Sequence, residues 1–236
     1  MRLYSALTLT AFLMLLQGCA TVTNPDPKDP LQGLNRSVFD FNEGADHYVL
    51  KPASTAYRDI TPEWTQKGIH NFFNNLQDAW SGVNTLLQGK REETGDNFGR
   101  VIVNSSIGLL GFMDVASDLK IARHTTSFGS TIGHWGVAPG PYVVLPLLGP
   151  FTLREVAVLP VDLKGNVIYQ VGDASVRNGL TVLQTIDTRT YLLSAGNVVD
   201  GAALDKYSFI RDAFLARQRN NDYDGNPPDE DNPDGP

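Results

Sequence analysis

Apolar residues in this chain recur mostly at steps of three and four, and that period sets the fold class before any other feature does. From Leu31 the positions Leu34, Val38, Phe41, Ala45 and Tyr48 mark one face of an amphipathic helix. A second helix is predicted with Thr61 as its cap and Pro62 in its first turn. It carries Trp64, Ile69, Phe72, Phe73, Leu76, Trp80, Val83 and Leu87 and ends near Gly89. Helical spacing returns at Val167, Ile168, Val171, Val176, Leu180, Leu183 and Ile186, and again at Leu204, Tyr207, Ile210, Phe214 and Leu215. A mainly α single domain is the simplest account, and 236 residues are enough to give it a core.

Three stretches break the period. Between Phe98 and Leu119 the chain is apolar all round, and its uncharged run from Val101 to Met113 would extend about 20 Å as a helix at ~1.5 Å per residue. That suits a buried or lipid-facing helix better than a full membrane span. Next comes a glycine-rich stretch holding Gly129, Gly133, Gly136 and Gly140, then an uncharged apolar run from Pro141 to Phe151. Its prolines at 141, 146 and 150 argue for irregular backbone and against a central strand. The four glycines are candidates for a gate or pore region, close packing and turns being the alternative. After Arg219, acids and prolines with almost no hydrophobe predict a disordered acidic tail over 220–236.

The amino terminus carries an address. Arg2 precedes an uncharged, mostly apolar stretch from Leu3 to Leu16, which reads as a secretory signal and is shorter than the ~20 residues of a membrane-spanning helix. Leu16-Gln17-Gly18-Cys19 then resembles a bacterial lipobox. It implies removal of residues 1–18 by cleavage after Gly18, with diacylglycerol on the Cys19 sulfur and an acyl group on its nitrogen. Residues 19–30 become an acylated tether, kept irregular by Pro25, Pro27 and Pro30. Ala20, where aspartate would stand in lipoproteins held at the inner membrane, favours the outer one. Cys19 is the only cysteine, so its acylation leaves no thiol for a disulfide, a redox couple or a thiolate metal site. Multiple acyl chains give stable anchoring.

Charge and motif content exclude several function classes. Six of the 26 acids lie between Asp222 and Asp234, leaving 20 against 19 lysines and arginines, so the body has no excess of base for nucleic acid. The histidines at 47, 70, 124 and 134 lack metal-ligand spacing, no phosphate-cradling loop is present, and neither metal nor cofactor is expected. Gly129-Ser130-Thr131-Ile132-Gly133 misses the hydrolase elbow because the serine is one place off. A triad of Ser130 with His134 or His124 is the sole formal route to an envelope hydrolase, and the chain is expected not to be an enzyme. Asn71, Asn74, Asn75 and Asn84 crowd the second helix, where an exposed polar face is the leading reading. For these asparagines and for Arg100, pore lining or ordinary capping and inter-helix hydrogen bonds are the alternatives.

Several longer stretches resemble the VacJ/MlaA family of outer-membrane phospholipid-transport lipoproteins, from about Asp29 to Arg219. They are Asp29-Pro30-Leu31-Gln32-Gly33-Leu34-Asn35-Arg36, Phe72-Phe73-Asn74-Asn75-Leu76 and Val83-Asn84-Thr85-Leu86-Leu87-Gln88-Gly89. More specific are Asn104-Ser105-Ser106-Ile107-Gly108, Gly111-Phe112-Met113-Asp114-Val115-Ala116, Phe128-Gly129-Ser130-Thr131-Ile132-Gly133-His134 and Gly140-Pro141-Tyr142. Glu155-Val156-Ala157-Val158 is more apolar than the family pattern leads one to expect. The resemblance implies a ring of amphipathic helices over 31–219, lying in the inner leaflet of a Gram-negative outer membrane. An amphipathic pore through it would remove mislocalised phospholipids from the outer leaflet. The implied partners are a trimeric porin and a soluble periplasmic carrier feeding an inner-membrane ABC transporter. A lipoprotein that only organises porins is the competing reading.

Overall fold

The computed structural model describes residues 29–202 and 204–228. The signal, the Cys19 anchor site, nearly all of the tether and residues 229–236 lie outside the described residues.

Helix α1 (Gln32–Ala45) runs through a widened π turn, Asp46–Leu50, straight into α2 (Lys51–Ile60). Pro52 explains the widening: it donates no amide hydrogen, and its ring needs room at the preceding turn. Thr61 is extended and Pro62 itself is the cap of α3 (Glu63–Leu87), one place later than the spacing predicts. Gly89, at φ +76°, turns the chain back into α4 (Arg91–Ser106), which packs along α3.

The expected helix from Val101 to Met113 stops at Ser106. Leu109 (φ 52°), Leu110 (φ 60°) and Gly111 (φ 91°) are all left-handed, which no right-handed helix tolerates. The loop folds onto itself, since a Cβ on Gly108 would stand 2.2 Å from the Met113 carbonyl oxygen. Its leucines face outward, not into a core. Two short helices follow, α5 (Val115–Asp118) capped by Asp114 and α6 (Phe128–His134) capped by Ser127.

The proline-rich run is the second departure from the predicted backbone. It forms an antiparallel hairpin, β1 (Tyr142–Leu145) and β2 (Gly149–Thr152), with Val144 opposite Pro150. The Val144 N–H points away from β2, to the Asn35 side chain at 2.9 Å. Pro150 therefore sits where the ladder asks for no donor, and with only two strands neither is central.

Thr152 opens α7 (Leu153–Gly165) through a capping box. Its hydroxyl accepts from the Glu155 N–H (3.3 Å), and the Glu155 carboxylate accepts from the Thr152 N–H (2.7 Å). A 3-10 turn (Val167–Gln170) leads to α8 (Ala174–Tyr191), α9 (Leu193–Ala202) and α10 (Lys206–Asp222). Helix α10 carries the chain past the boundary expected at 219. Asp222 accepts from the Arg154 guanidinium at 2.6 Å and Asp224 pairs with Lys90, so these two acids belong to the folded body.

The packing contacts close into a circuit. Helix α1 continues into α2, α2 packs on α8, α8 on α3, α3 on α6, α6 on α7, and α7 leads back through the hairpin to α1. The mainly helical ring is therefore present. Its polarity is inverted relative to a water-soluble domain. Buried polar residues include Asn35, Asp78, Asn84, Thr85, Asn97, Arg100 and Asn104, whereas the apolar core is confined to a few side chains such as Tyr142, Val144, Tyr207 and Phe214. Ile102, Ile107, Leu109, Leu110, Leu147, Leu148 and Trp64 lie exposed. Buried polar groups and exposed large apolar ones are the informative exceptions to ordinary burial. No helix among the described residues is long and apolar enough to cross a membrane.

Candidate functional site

Two cavities lie inside the circuit and share Gln184 and Thr188 of α8 as lining. The smaller, about 420 Å³, is walled by Leu76 and Trp80 of α3 and by Glu155, Leu159 and Asp162 of α7. The larger, about 610 Å³, lies between α1 and the hairpin and reaches Asn42, Asp46, Tyr142, Leu148, Arg189 and Lys206. The shared pair on α8 makes the two cavities neighbours.

The charged side chains that line the two cavities already have partners. Arg189 donates to both oxygens of Asp46, at 2.6 and 2.8 Å, and those bonds raise its pKa. Lys206 meets Glu43 and lies 2.7 Å from Asp200. Burial alone would lower its pKa, yet the hydrogen bonds that it donates to Asp200 and Glu43 raise it. Asp162 accepts from the Trp80 indole and the Phe128 amide, each at 2.8 Å. A lining of paired ions, neutral amides, hydroxyls and apolar carbons can admit an amphiphile without holding it by a free charge.

The motif residues are mostly structural. Asn35, wholly buried, donates to Asp29 (2.8 Å) and to the Tyr142 carbonyl (3.0 Å), while Asp29 also accepts from the Tyr207 hydroxyl. The asparagines of α3 do not form the exposed polar face expected of them. Asn75 donates to Ser105, and Asn84 donates to the Trp80 carbonyl while accepting from Thr131 at 2.8 Å. Asn71 donates to the Phe112 carbonyl, and the Asn74 carbonyl accepts from Arg123. Arg100 is buried with Asp78, Asp114, Ser117 and the Ile121 carbonyl around its guanidinium. The side chains of Asn71, Asn75, Asn84 and Arg100 thus make intra- and inter-element hydrogen bonds, and they stand apart from the lining of the two cavities.

The four candidate glycines divide into two pairs. Gly129 and Gly133 lie within α6, where an added Cβ would come within 2.9 Å of Glu155 and 2.7 Å of Arg154. Gly136 (φ +92°) and Gly140 (φ +68°) instead supply left-handed turns before the hairpin. The Ser130 hydroxyl meets Ser127, His124 meets Asp96 at 2.9 Å, and His134 lies 3.9 Å from Asp224. No hydrogen bond joins Ser130 to either histidine among the described residues. Gln184, Thr188 and Asn42 carry no motif and were not singled out from sequence. One available signal was the seven-residue step from Asn35 to Asn42, which puts both on one face of α1.

Comparison with known proteins agrees with this architecture. A phospholipid transport protein of Shigella flexneri, "Intermembrane phospholipid transport system lipoprotein MlaA", is 36% identical over 210 residues, covering 86% of this chain and 82% of that one. The protein of that name from Haemophilus influenzae is 33% identical over 221 residues, covering 87% and 86%. A solved structure described as "Structural basis for maintenance of bacterial outer membrane lipid asymmetry" superposes with a TM-score of 0.72 at 36% identity, covering 84% of this chain and 99% of that one. The family model for the MlaA lipoprotein matches residues 27–221, and the chain belongs to that family.

Proposed function

We propose that this protein moves phospholipids out of the outer leaflet of the outer membrane through the passage inside its helical ring, and so maintains lipid asymmetry. The observation that carries the reading is the inverted polarity: an exterior rich in large apolar side chains surrounds two neighbouring cavities with polar and apolar walls. A phospholipid needs both kinds of wall at once, and a ring of amphipathic helices supplies them. The relatives named for phospholipid transport support the same role.

In this reading Cys19, freed by cleavage after Gly18 and acylated, holds the body at the periplasmic face of the outer membrane. A trimeric porin embeds the ring, and a soluble periplasmic carrier takes the lipid onward to an inner-membrane ABC transporter. The step is translocation without chemistry, so no catalytic residue or cofactor enters it. Of the candidate gate glycines, the left-handed turns at Gly136 and Gly140 support a role in backbone movement, and the close neighbours of Gly129 and Gly133 support a role in packing.

The test is to delete the chromosomal gene, label surface phospholipid on intact cells, and rescue with wild type and Cys19→Ala at matched expression. Raised surface phospholipid that only the acylated form reverses supports transport. Unchanged surface phospholipid with altered porin assembly gives the role to porin organisation instead.

A further inference from the structure

A third cavity, about 620 Å³, lies where the end of α6 and the start of α7 meet α10, and it shares no lining residue with the two inside the circuit. Charge separates it from them. The smaller of those two presents only the carboxylates of Glu155 and Asp162, and the larger balances Glu43 and Asp46 against Arg189 and Lys206. The third is lined by the guanidiniums of Arg154 and Arg219 and by a single carboxylate, that of Asp222. Thr152 lines it too, so the first turn of α7, the positive end of that helix dipole, lies in the same wall.

Arg154 is fixed in place from several directions. Its main-chain N–H donates to the Pro139 carbonyl (3.0 Å), Nη1 to the Val137 carbonyl (2.7 Å) and Nη2 to Asp222 (2.6 Å). Gly133 leaves it room, since a Cβ there would meet the guanidinium. The side chain is only 1% exposed, yet its Nε–H meets no acceptor among the described residues. A buried donor left without an acceptor bears its full desolvation cost, which is largest for a charged group. Here the donor belongs to a side chain that lines a cavity, where a ligand can supply what the protein does not.

We propose that this cavity binds a phosphate group, in the form of a lipid phosphodiester, and that the phosphate accepts from the Arg154 Nε–H. Phosphate oxygens are among the strongest acceptors for a guanidinium. The diester suits the remaining wall: Val137, Pro139 and Leu215 line the same cavity as the two guanidiniums, so carbon on either side of the phosphorus finds apolar contact. The volume fits a headgroup with its glycerol and exceeds what a bare inorganic ion fills. The site gives the protein a second place to hold a headgroup, outside the cavities of the ring.

The test uses full-length acylated protein, its arginines isotope-labelled for NMR, in dodecyl maltoside micelles, which contain no phosphate. The Arg154 Nε–H resonance, assigned through its own side-chain carbons, is followed as dihexanoyl phosphatidylethanolamine, inorganic phosphate or acetate is added. The diester is expected to move it downfield to a plateau, and inorganic phosphate to need a concentration about tenfold higher for half the effect. Acetate at equal concentration should leave it in place. No plateau with the diester overturns the proposal. So does an equal response to acetate, which would mark a site for any anion. If inorganic phosphate acts at the lower concentration, the lipid source is overturned and the site belongs to the free ion.

Ala138→Trp supplies an independent arm. Ala138 lines the cavity and is exposed, so the indole takes up space in it and leaves the Arg154 ion pair alone. The melting temperature should match wild type, and the diester should bind about tenfold more weakly. Unchanged affinity in that folded variant overturns the placement in this cavity. Because the ring cavities contain none of these residues, failure here leaves the transport reading standing, and failure of that reading leaves this site.

Discussion

The ring is held together differently on its two sides. Where α1, the hairpin and α10 meet, Tyr142, Val144, Tyr207 and Phe214 form an aromatic cluster, with Tyr142 edge-on to Phe214 at 5.8 Å. Where α3, α4 and α6 meet, the interior is polar, with Arg100 and Asn97 tying α4 to the loop before α6 and Thr131 of α6 bonded to Asn84. The exterior of the polar side carries Ile102, Ile107, Leu109, Leu110 and Met113, and that of the aromatic side carries Phe41, Leu147, Leu148 and Phe209, so the two sides differ in their interiors. In lipid, burying apolar side chains brings little gain, because the solvent is as apolar as the interior, and hydrogen bonds and close packing join helices instead. The aromatic side has the kind of interior that water rewards, and the polar side the kind that holds equally well in lipid.

That contrast can be broken by experiment. The largest effect is expected for Arg100→Met, which strands one side of the buried Asp78 and takes the guanidinium from the partly exposed Asp114, and should cost about 3 kcal/mol in denaturant titration. Phe214→Ala, a cavity on the aromatic side, should cost about 3 kcal/mol in the same titration. Raising the detergent concentration should shrink the Phe214 effect and leave the Arg100 effect in place. Equal shrinkage would abolish the distinction between the sides.

A double-mutant cycle of Asn84→Ala and Thr131→Val should give a coupling of about 1 kcal/mol across the α3–α6 bond, and strict additivity would show that the bond contributes nothing. The smallest effect concerns acid. The Arg36 guanidinium, then the Ser208 hydroxyl, hold the Asp205 carboxyl well below the usual aspartate range. A depressed value stabilises the fold above the unfolded pKa of about 4 and is lost as pH falls below that toward the folded value. The pair is largely exposed, so Arg36→Met should cost only about 0.5 kcal/mol at neutral pH and nothing once Asp205 is protonated. A pH-independent cost would assign the effect to the stacking of Arg36 over Tyr207 at 4.4 Å instead.

Period-based reading found the helices whose one face is apolar, such as α1, α3 and α8. It failed where the pattern has no face. The run from Val101 to Met113 is apolar throughout because its second half is an outward loop, and composition alone cannot separate that from a buried helix. The hairpin was hidden by its prolines, whose harm depends on which way each amide points, and only the register shows that Pro150 is spared. The asparagines of α3 look like surface polarity until α6 and the loop after α4 are laid over them. The cavities were invisible for a plainer reason: Gln184 and Thr188 are ordinary polar residues on a predicted helix, and what distinguishes them is the empty space beside them.

The outward leucines and isoleucines have a consequence for the protein's life before it reaches its bilayer. With its apolar side chains turned out and no disulfide to hold a looser form together, the folded body is poorly suited to free solution. Any interval spent in water is therefore hazardous, because neighbouring copies offer each other the same apolar surface.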